Sequence, residues 1–241
     1  GTLTIVPAKL AFLTSPVSGP TTIPASANLG PITVQLQNSS NTPIDAPAGG
    51  TVLNLSSTST YGVFSASLNG AHITSVTIPA GSSTVSFYYG DSAAGTPTIT
   101  ASSPDASPAI TQTETMEGGT ISVGPYTNWG FGSALNQPSP RTATFTLSNT
   151  GPGAVEITGT LFAGSAPTGT TFASAFYFTP ATTCHVSQVL LAGQSCNFVV
   201  NFDPPVLGTY QGTLTGSFLG AANASPVITL RGQTIGTLGR P

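Results

Sequence analysis

This 241-residue sequence predicts an all-β protein that folds as two tandem β-sandwiches. Apolar residues alternate with polar ones in many short runs, the pattern of strands that bury one face. Clusters of Gly, Pro, Asn and Ser separate the runs, and 28 glycines with 21 prolines would interrupt any long helix. The length is enough for two domains of ordinary size.

Each alternating run predicts one strand with a buried and an exposed face. In chain order the clearest runs are KLAF at 9–12, ITVQLQ at 32–37, TVSFYY at 84–89, ATFTLSN at 143–149 and CNFVVNF at 196–202. Successive side chains on a strand point to opposite faces, so Cys196 is expected to share an inward face with Phe198. By the same parity Trp129 follows Phe131 into the core. Turn-forming residues such as SNTGPG at 148–153 fill the gaps.

The predicted domain boundary lies between residues 116 and 117. SSPDASPA at 102–109 indicates a hairpin loop, and ITQTETM at 110–116 the last strand of a first domain. EGGT at 117–120 is then a short linker before a new strand at 121–123. The predicted domains are 1–116 and 117–241, each close to the roughly 100 residues of an immunoglobulin-type domain.

Charge is scarce, which limits the partners that the chain can bind. Only 5% of residues are charged and the net charge is −3. The four basic residues are scattered rather than clustered: Lys9, Arg141, Arg231 and Arg240. Because phosphate binding needs a clustered basic face, no nucleic-acid partner is expected. No run approaches the roughly 18 apolar residues of a membrane span and no signal peptide opens the chain, so we expect a soluble segment of a longer precursor without membrane insertion.

The first half carries a family resemblance over about a hundred residues. Its motifs are KLAF at 9–12, ITVQLQ at 32–37, TVLNLSS at 51–57, TIPAGSSTVSFYY at 77–89 and AGTPTITAS at 94–102. In order and spacing they resemble the bacterial Ig-like modules strung in tandem in large surface proteins, the invasin/intimin-like and filamin-like repeats. The acidic turn residues usual in such modules are replaced here by Gln37, Asn38 and Ser39.

The second half carries a different one. Its motifs are ISV at 121–123, FGS at 131–133, TFTLSNTGPGAVEI at 144–157, LLAGQSCNFVVNFDP at 190–204 and GTYQGTLTG at 208–216. They resemble the ASH/Hydin-like Ig domains of exported bacterial proteins, often found beside choice-of-anchor modules. Trp129 departs from the aliphatic residue usual two positions before the Phe-Gly pair. The two resemblances imply Ig-like sandwiches that act as stalk, spacer or presentation modules outside the cytoplasm, without an active site.

Both cysteines lie in TTCHVSQVLLAGQSC at 182–196, beside His185. A zinc site needs three or four ligands, and the only other histidine, His72, lies in the other half. A thiol nucleophile needs its base beside it, but strand parity turns His185 away from Cys184. Two neighbouring strands joined by a loop of about ten residues can bring the thiols together. We therefore predict a Cys184–Cys196 disulfide and an oxidising compartment, with no metal and no catalytic residue.

Other candidate residues are weaker. The acids are spread singly, at Asp45, Asp91, Asp105, Glu114, Glu117, Glu156 and Asp203, which disfavours calcium and paired-carboxylate catalysis. A bridging ion near Glu114, Glu117 and Asp203 stays open. Lys9 is a remote isopeptide candidate, Asn38, Asn54 and Asn223 begin glycosylation sequons, and Tyr61, Tyr88, Tyr126 and Tyr177 are candidates for a sugar platform.

The function expected from these observations is structural. We expect non-catalytic stalk or spacer modules of a secreted or surface-displayed bacterial adhesin- or fibre-like protein, with no cofactor. One alternative is a binding module that recognises a glycan or a surface protein through sandwich loops. Another is an accessory region of an exported hydrolase. The edge strands of such sandwiches also allow homotypic or partner strand pairing.

Overall fold

The structure is a computed structural model that describes residues 8–135 and 141–235. Over these residues the chain contains strands and a single one-turn helix, α1 (Phe172–Ala175). It divides into two compact units, Gly1–Gly118 and Gly119–Pro241. No helix in the described ranges is both long and apolar enough to cross a membrane.

The first unit is a sandwich of two antiparallel sheets. Its strands are β1 (Lys9–Phe12), β2 (Ser18–Pro20), β3 (Leu29–Gln37), β4 (Thr51–Ser57), β5 (Gly62–Ser65), β6 (His72–Ile73), β7 (Ser75–Ile78), β8 (Thr84–Asp91), β9 (Thr98–Ser103), β10 (Ala106–Thr113) and β11 (Thr115–Glu117). One sheet has the order β1-β3-β8-β5-β6, the other β10-β9-β4-β7, and β2 pairs in parallel with β11. With β1, β3, β4, β5, β8, β9 and β10 lettered A to G, the sheets are A-B-E-D and G-F-C, which is the immunoglobulin arrangement.

The second unit repeats this strand order. Its strands are β12 (Ile121–Gly124), β13 (Asn128–Leu135), β14 (Arg141–Asn149), β15 (Val155–Ser165), β16 (Phe176–Phe178), β17 (Val189–Leu190), β18 (Ser195–Phe202), β19 (Gly208–Leu219) and β20 (Val227–Ile235). The sheets are β12-β14-β18-β16 and β13-β20-β19-β15-β17. With β12, β14, β15, β16, β18, β19 and β20 lettered A to G, the sheets again contain the orders A-B-E-D and G-F-C, and β13 is an additional strand that pairs in parallel with β20. The prediction of an all-β, Ig-like sandwich fold is therefore confirmed.

Each core is filled by the inward residues of the alternating runs. In the first unit Phe87 and Tyr89 of β8 are fully buried, together with Ile32 from β3. In the second unit Phe145, Phe176 and Phe202 are fully buried. Burial of these large side chains is the main favourable term for each sandwich.

Trp129 belongs to the second core, as strand parity predicts. It is partly buried and packs against the core cluster. Its ring meets Phe145 edge-on, with centroids 6.2 Å apart. Phe131, two positions later, is 5% exposed.

Near the boundary, the last predicted strand of the first domain and the hairpin loop before it differ from the sequence prediction. The predicted short linker, 117–120, contains the last residue of β11, Glu117, and Gly119, which forms a bridge with Ala221. The predicted strand 110–116 is interrupted at Glu114, which lies between β10 and β11. The chain changes its strand partner at this residue, from β9 for β10 to β2 for β11, and the buried side chain of Glu114 accepts a hydrogen bond from the N–H of Val17. The hairpin loop before it is also shorter than predicted, since β10 already begins at Ala106.

Candidate functional sites

Cys184 and Cys196 form a disulfide in the second unit, with their Cα atoms 5.1 Å apart. Each residue is 5% exposed and belongs to the core cluster. Cys196 lies on β18 opposite Leu147. Cys184 lies in an irregular segment between β16 and β17 rather than on a strand, and its N–H donates to the carbonyl of Asn197. The predicted strand–loop–strand is therefore wrong in its first strand, although the two cysteines are joined.

His185 has no thiolate to activate. Its partner in sequence is consumed by the disulfide, and its own side chain is exposed. Its backbone N–H donates to Gln188 Oε1 at 2.9 Å, which shapes the turn before β17. His72 lies on β6 of the first unit. In the described parts of the chain, no three His, Cys, Asp or Glu residues come together as a metal site would require.

A buried acid–tyrosine cluster in the first unit was missed by the sequence reasoning. Asp91, at the end of β8, is 0% exposed. Its Oδ2 accepts a hydrogen bond from Tyr89 Oη at 2.7 Å, and its Oδ1 accepts from the N–H of Ala93 at 2.9 Å. The hydroxyl of Ser57 lies 2.9 Å from the same Tyr89 oxygen. Because the Tyr89 proton goes to Asp91, Ser57 is the donor in that pair.

Glu114 is the second fully buried carboxylate of this unit. Its Oε2 accepts from the N–H of Val17 at 2.5 Å, and its Oε1 accepts from Gln112 Nε2 at 2.8 Å. The next residue, Thr115, donates its N–H to the carbonyl of Val17. The carboxylate thus acts as a strand partner for the segment that leads into β2.

Burial raises the pKa of Tyr89 well above its usual range. The hydrogen bond to Asp91 and the negative charges of Asp91 and Glu114 act in the same direction, while the hydrogen bond from Ser57 opposes them. A phenol kept neutral in this way is a hydrogen-bond donor to a buried carboxylate and not a base. The hydroxyl of Tyr89 and the N–H of Ala93 supply the donors that the buried carboxylate of Asp91 needs. A sequence signal existed: Tyr89 and Asp91 are two residues apart, on the same face of one strand.

The remaining acids and the sequons fall on the surface or in turns. Asp45, Asp105, Glu117 and Asp203 are exposed and Glu156 is half-buried. Asn38 organises its own turn by accepting from the N–H groups of Ser40 and Thr42. Asn54 is exposed on β4, and Asn223 binds both the N–H and the carbonyl of Ile121.

The side chain of Lys9 forms a hydrogen bond with an asparagine and not with a buried acid. Its Nζ donates to Asn41 Oδ1 at the exposed end of β1. The buried carboxylates of the unit are engaged elsewhere, Asp91 by Tyr89 and Glu114 by Val17. The isopeptide hypothesis therefore gains a neighbour for Lys9 but no buried acid bound to it.

The candidate tyrosines are divided between the two units. Tyr61 and Tyr88 lie in the first unit, and Tyr126 and Tyr177 in the second. Tyr126 is 58% exposed, and its ring lies 5.6 Å from that of Trp129 at an interplanar angle of 32°. Among the described residues, Tyr126 is the exposed tyrosine whose ring adjoins a second aromatic ring.

A cavity of about 310 Å³ opens beside the edge of β15 in the second unit. It is lined by Thr160, Phe178, Thr179, Pro180, Thr182, Cys184, His185 and Val186. Its aromatic wall is fixed, because the ring centroid of Phe178 lies 4.7 Å from that of Phe162 and 5.3 Å from that of Phe198. In the first unit a cavity of about 350 Å³ lies between β4 and β5–β6, and Leu55, Phe64 and His72 are among the residues that line it.

Comparisons with known proteins give no family. No protein-family model matches the chain, and no curated protein matches it either. A solved ASH/PapD-like domain of human CEP192 is 17% identical, with a TM-score of 0.35, and the match covers 50% of this chain and 88% of that one.

Two further solved structures are similar over most of this chain. The Yersinia pseudotuberculosis adhesin InvE is 14% identical with a TM-score of 0.35, and the match covers 92% of this chain and 58% of that one. Domains 5–6 of the S-layer protein SbsC are 15% identical with a TM-score of 0.31, over 95% and 97% of the two chains. Because all these TM-scores are below 0.5, the Ig-like assignment rests on the chain's own strand order and register.

Proposed function

We propose that the chain is a pair of non-catalytic presentation modules, a stalk or spacer, in a secreted or surface-displayed bacterial protein of the adhesin or fibre class. In this proposal the first unit is an invasin/filamin-like module and the second an ASH/Hydin-like module. The observation that carries the proposal is that the cysteines and the buried carboxylates are engaged in contacts within the sandwiches themselves. The cysteines are joined in the core, and the buried carboxylates Asp91 and Glu114 are bound by hydrogen-bond donors of the sandwich itself.

The disulfide supports a location outside the cytoplasm. Disulfides persist in oxidising compartments such as the periplasm and the cell exterior, and are rare in the cytosol. The pair is buried in a sandwich core, where it stabilises the folded chain rather than exchanging with solvent thiols. A sparsely charged, sandwich-built module suits a spacer whose task is mechanical.

The proposal is tested on the full-length protein in its native host. Surface labelling of intact cells with an antibody against this chain should detect it, and alkylation followed by intact-mass analysis should find no free thiol. Detection only after cell lysis, with both cysteines alkylated, would contradict the proposal. The full-length gene adds a second readout, because a catalytic domain encoded beside these modules would favour the accessory region of an exported hydrolase.

A binding module is the second candidate, and one observation favours it. Tyr126 is 58% exposed and stands over Trp129, an arrangement on which a sugar ring can stack. A glycan array probed with the wild-type chain and with Tyr126→Ala separates this candidate from the spacer. Specific hits that Tyr126→Ala abolishes would favour the binding module, whereas no hit would favour the spacer.

A further inference from the structure

We propose that the second unit binds an extended, uncharged peptide segment of a partner protein. The segment would add a strand to the free edge of β15 and place one aliphatic side chain in the adjoining cavity. This goes beyond the spacer function and does not depend on it, because it rests only on the edge and the cavity of one unit.

The edge of β15 is left unpaired over most of its length. On one side β19 pairs with β15 from Glu156 to Ser165. On the other side β17 pairs only with Val155 and Glu156, and Ile157 adds hydrogen bonds with Ser187 and Gln188. Within the described residues, no strand pairs with 158–165 on that side. Outward-facing N–H and C=O groups of this stretch are a template for another strand.

The free stretch lacks the charged residues and prolines that normally prevent strand addition. Its sequence, TGTLFAGS, contains no charged residue and no proline, which are common means of blocking an edge. A register shift lies at its start, between Ile157 and Gly159, and the pairing with β19 is then regular to Ser165. Leu161, in the middle, is 61% exposed.

The cavity adjoins this edge on the face that packs against the core. Thr160 lines the cavity, and Phe162, two residues further along β15, packs against the core cluster. Because side chains alternate along a strand, Thr160 and Phe162 share that face. An added strand would place every second side chain on the same face, next to Thr160. There Phe178, Pro180 and Val186 offer an apolar surface.

A peptide fits these two features better than other occupants do. Only a polypeptide backbone can continue a hydrogen-bonded ladder along the edge, and pockets for alternate side chains then add specificity. A second copy of β15 lacks the required side chain, since its Phe162 is already held at 4.7 Å from Phe178 of its own unit. The segment should be uncharged where it enters the cavity, because a charge placed against the apolar surface of Phe178, Pro180 and Val186 is costly.

The probe is the acetylated and amidated octapeptide STVTLTVS, titrated into the isotopically labelled full chain and followed by NMR. We expect the amide signals of residues 158–165 and 178–186 to shift together, and amides of 158–165 to gain protection from exchange. Two matched peptides carry N-methyl groups on alternate residues, one set on each edge. Because only one edge of the peptide donates to β15, one methylated peptide should bind and the other should lose affinity by about tenfold or more.

Val186→Asp tests the cavity, and Val206→Asp is its matched control. Val186 is 58% exposed in the cavity wall and Val206 is 41% exposed in the loop before β19. Val186→Asp should weaken peptide binding by about tenfold, whereas Val206→Asp should leave it unchanged.

Three results would overturn the proposal. The first is no shift in 158–165 at about 1 mM peptide. The second is equal binding of both methylated peptides, or equal binding by the two variants. The third is a shift of the same amides that grows with protein concentration in the absence of peptide, which would assign the edge to a second copy of the chain.

Discussion

The first unit buries two carboxylates and a hydrogen-bonded tyrosine. The second unit, which contains the same strand order, buries a disulfide and packed phenylalanine rings. Asp91 and Glu114 are 0% exposed in the first unit. In the second, the ring centroid of Phe176 lies 4.8 Å from that of Phe202 and 5.5 Å from that of Phe131. The comparison teaches that the strand order fixes which positions are buried and leaves open which chemistry fills them.

The two units also differ in how much of the edge of strand C, which is β4 in the first unit and β15 in the second, is paired. In the first unit β7 pairs with four residues of β4, from Thr51 to Asn54. In the second unit β17 pairs with two residues of the longer β15. The first unit therefore leaves little of that edge open, while the second leaves most of it free for another strand.

The largest difference between the units should appear when an aromatic ring is removed from the second core. Phe176→Ala should lower the free energy of unfolding of the second unit by about 3–5 kcal/mol, because the cavity cannot collapse fully. Urea unfolding followed by the fluorescence of Trp129, the single tryptophan, reports on this unit. The control is Tyr177→Ala at the neighbouring, 39% exposed position; equal losses for the two variants would disprove the packing argument.

Removal of the disulfide should also act on the second unit alone. Cys184→Ala with Cys196→Ala should cost about 3 kcal/mol, since a short closed loop restricts the unfolded chain. The measurement is again urea unfolding by Trp129 fluorescence, with amide exchange of β8 as the readout for the first unit. Equal destabilisation of β8 would show that the units do not respond separately.

In the first unit the matching test is Tyr89→Phe. The variant removes the donor to Asp91 Oδ2 and should lower the free energy of unfolding by about 1–3 kcal/mol, the usual cost of an unsatisfied buried group. Tyr88→Phe, on the half-buried neighbour, should stay within about 0.5 kcal/mol. Amide exchange of β8 in both variants measures the difference, and an equal effect would refute the role of the hydroxyl.

Alkaline pH should lower the stability of the first unit through Tyr89, by a smaller amount than the substitutions above. The pKa of Tyr89 is raised in the folded chain, so above pH about 10 the unfolded chain loses this proton while the folded chain keeps it. Stability therefore falls as pH rises from that point, by at most about 1.4 kcal/mol per pH unit from this group. Urea unfolding by circular dichroism at several pH values should show a smaller fall for Tyr89→Phe; identical slopes would contradict it.

The smallest effect on stability is expected at the free edge. Leu161→Lys should change the free energy of unfolding by no more than about 0.5 kcal/mol, because Leu161 is 61% exposed. It should nevertheless reduce aggregation, measured by light scattering, because a charge blocks strand addition. Leu68→Lys is the matched control at a 57% exposed turn of the first unit. Aggregation reduced equally by both variants would point to net charge rather than to the edge.

The strands and their inward faces were predictable from the sequence because they follow from local alternation. TVSFYY predicted a strand that buries Phe87 and Tyr89, and the structure has both at 0% exposed. The parity of Trp129 with Phe131 held for the same reason. The break at Glu114 was not predictable, since the chain there changes its partner from β9 to β2, and β2 lies far away in the sequence.

What the sequence by itself determined is the all-β class, the alternation of buried and exposed positions, and the two cysteines as partners. Each depends on local periodicity or on a residue pair with no other candidate. The tertiary structure alone decided that Asp91 and Glu114 are buried, that Cys184 lies off any strand, and that β15 keeps a free edge beside a cavity. Those features depend on which distant segments meet, and two sandwiches with one strand order can bring different segments together.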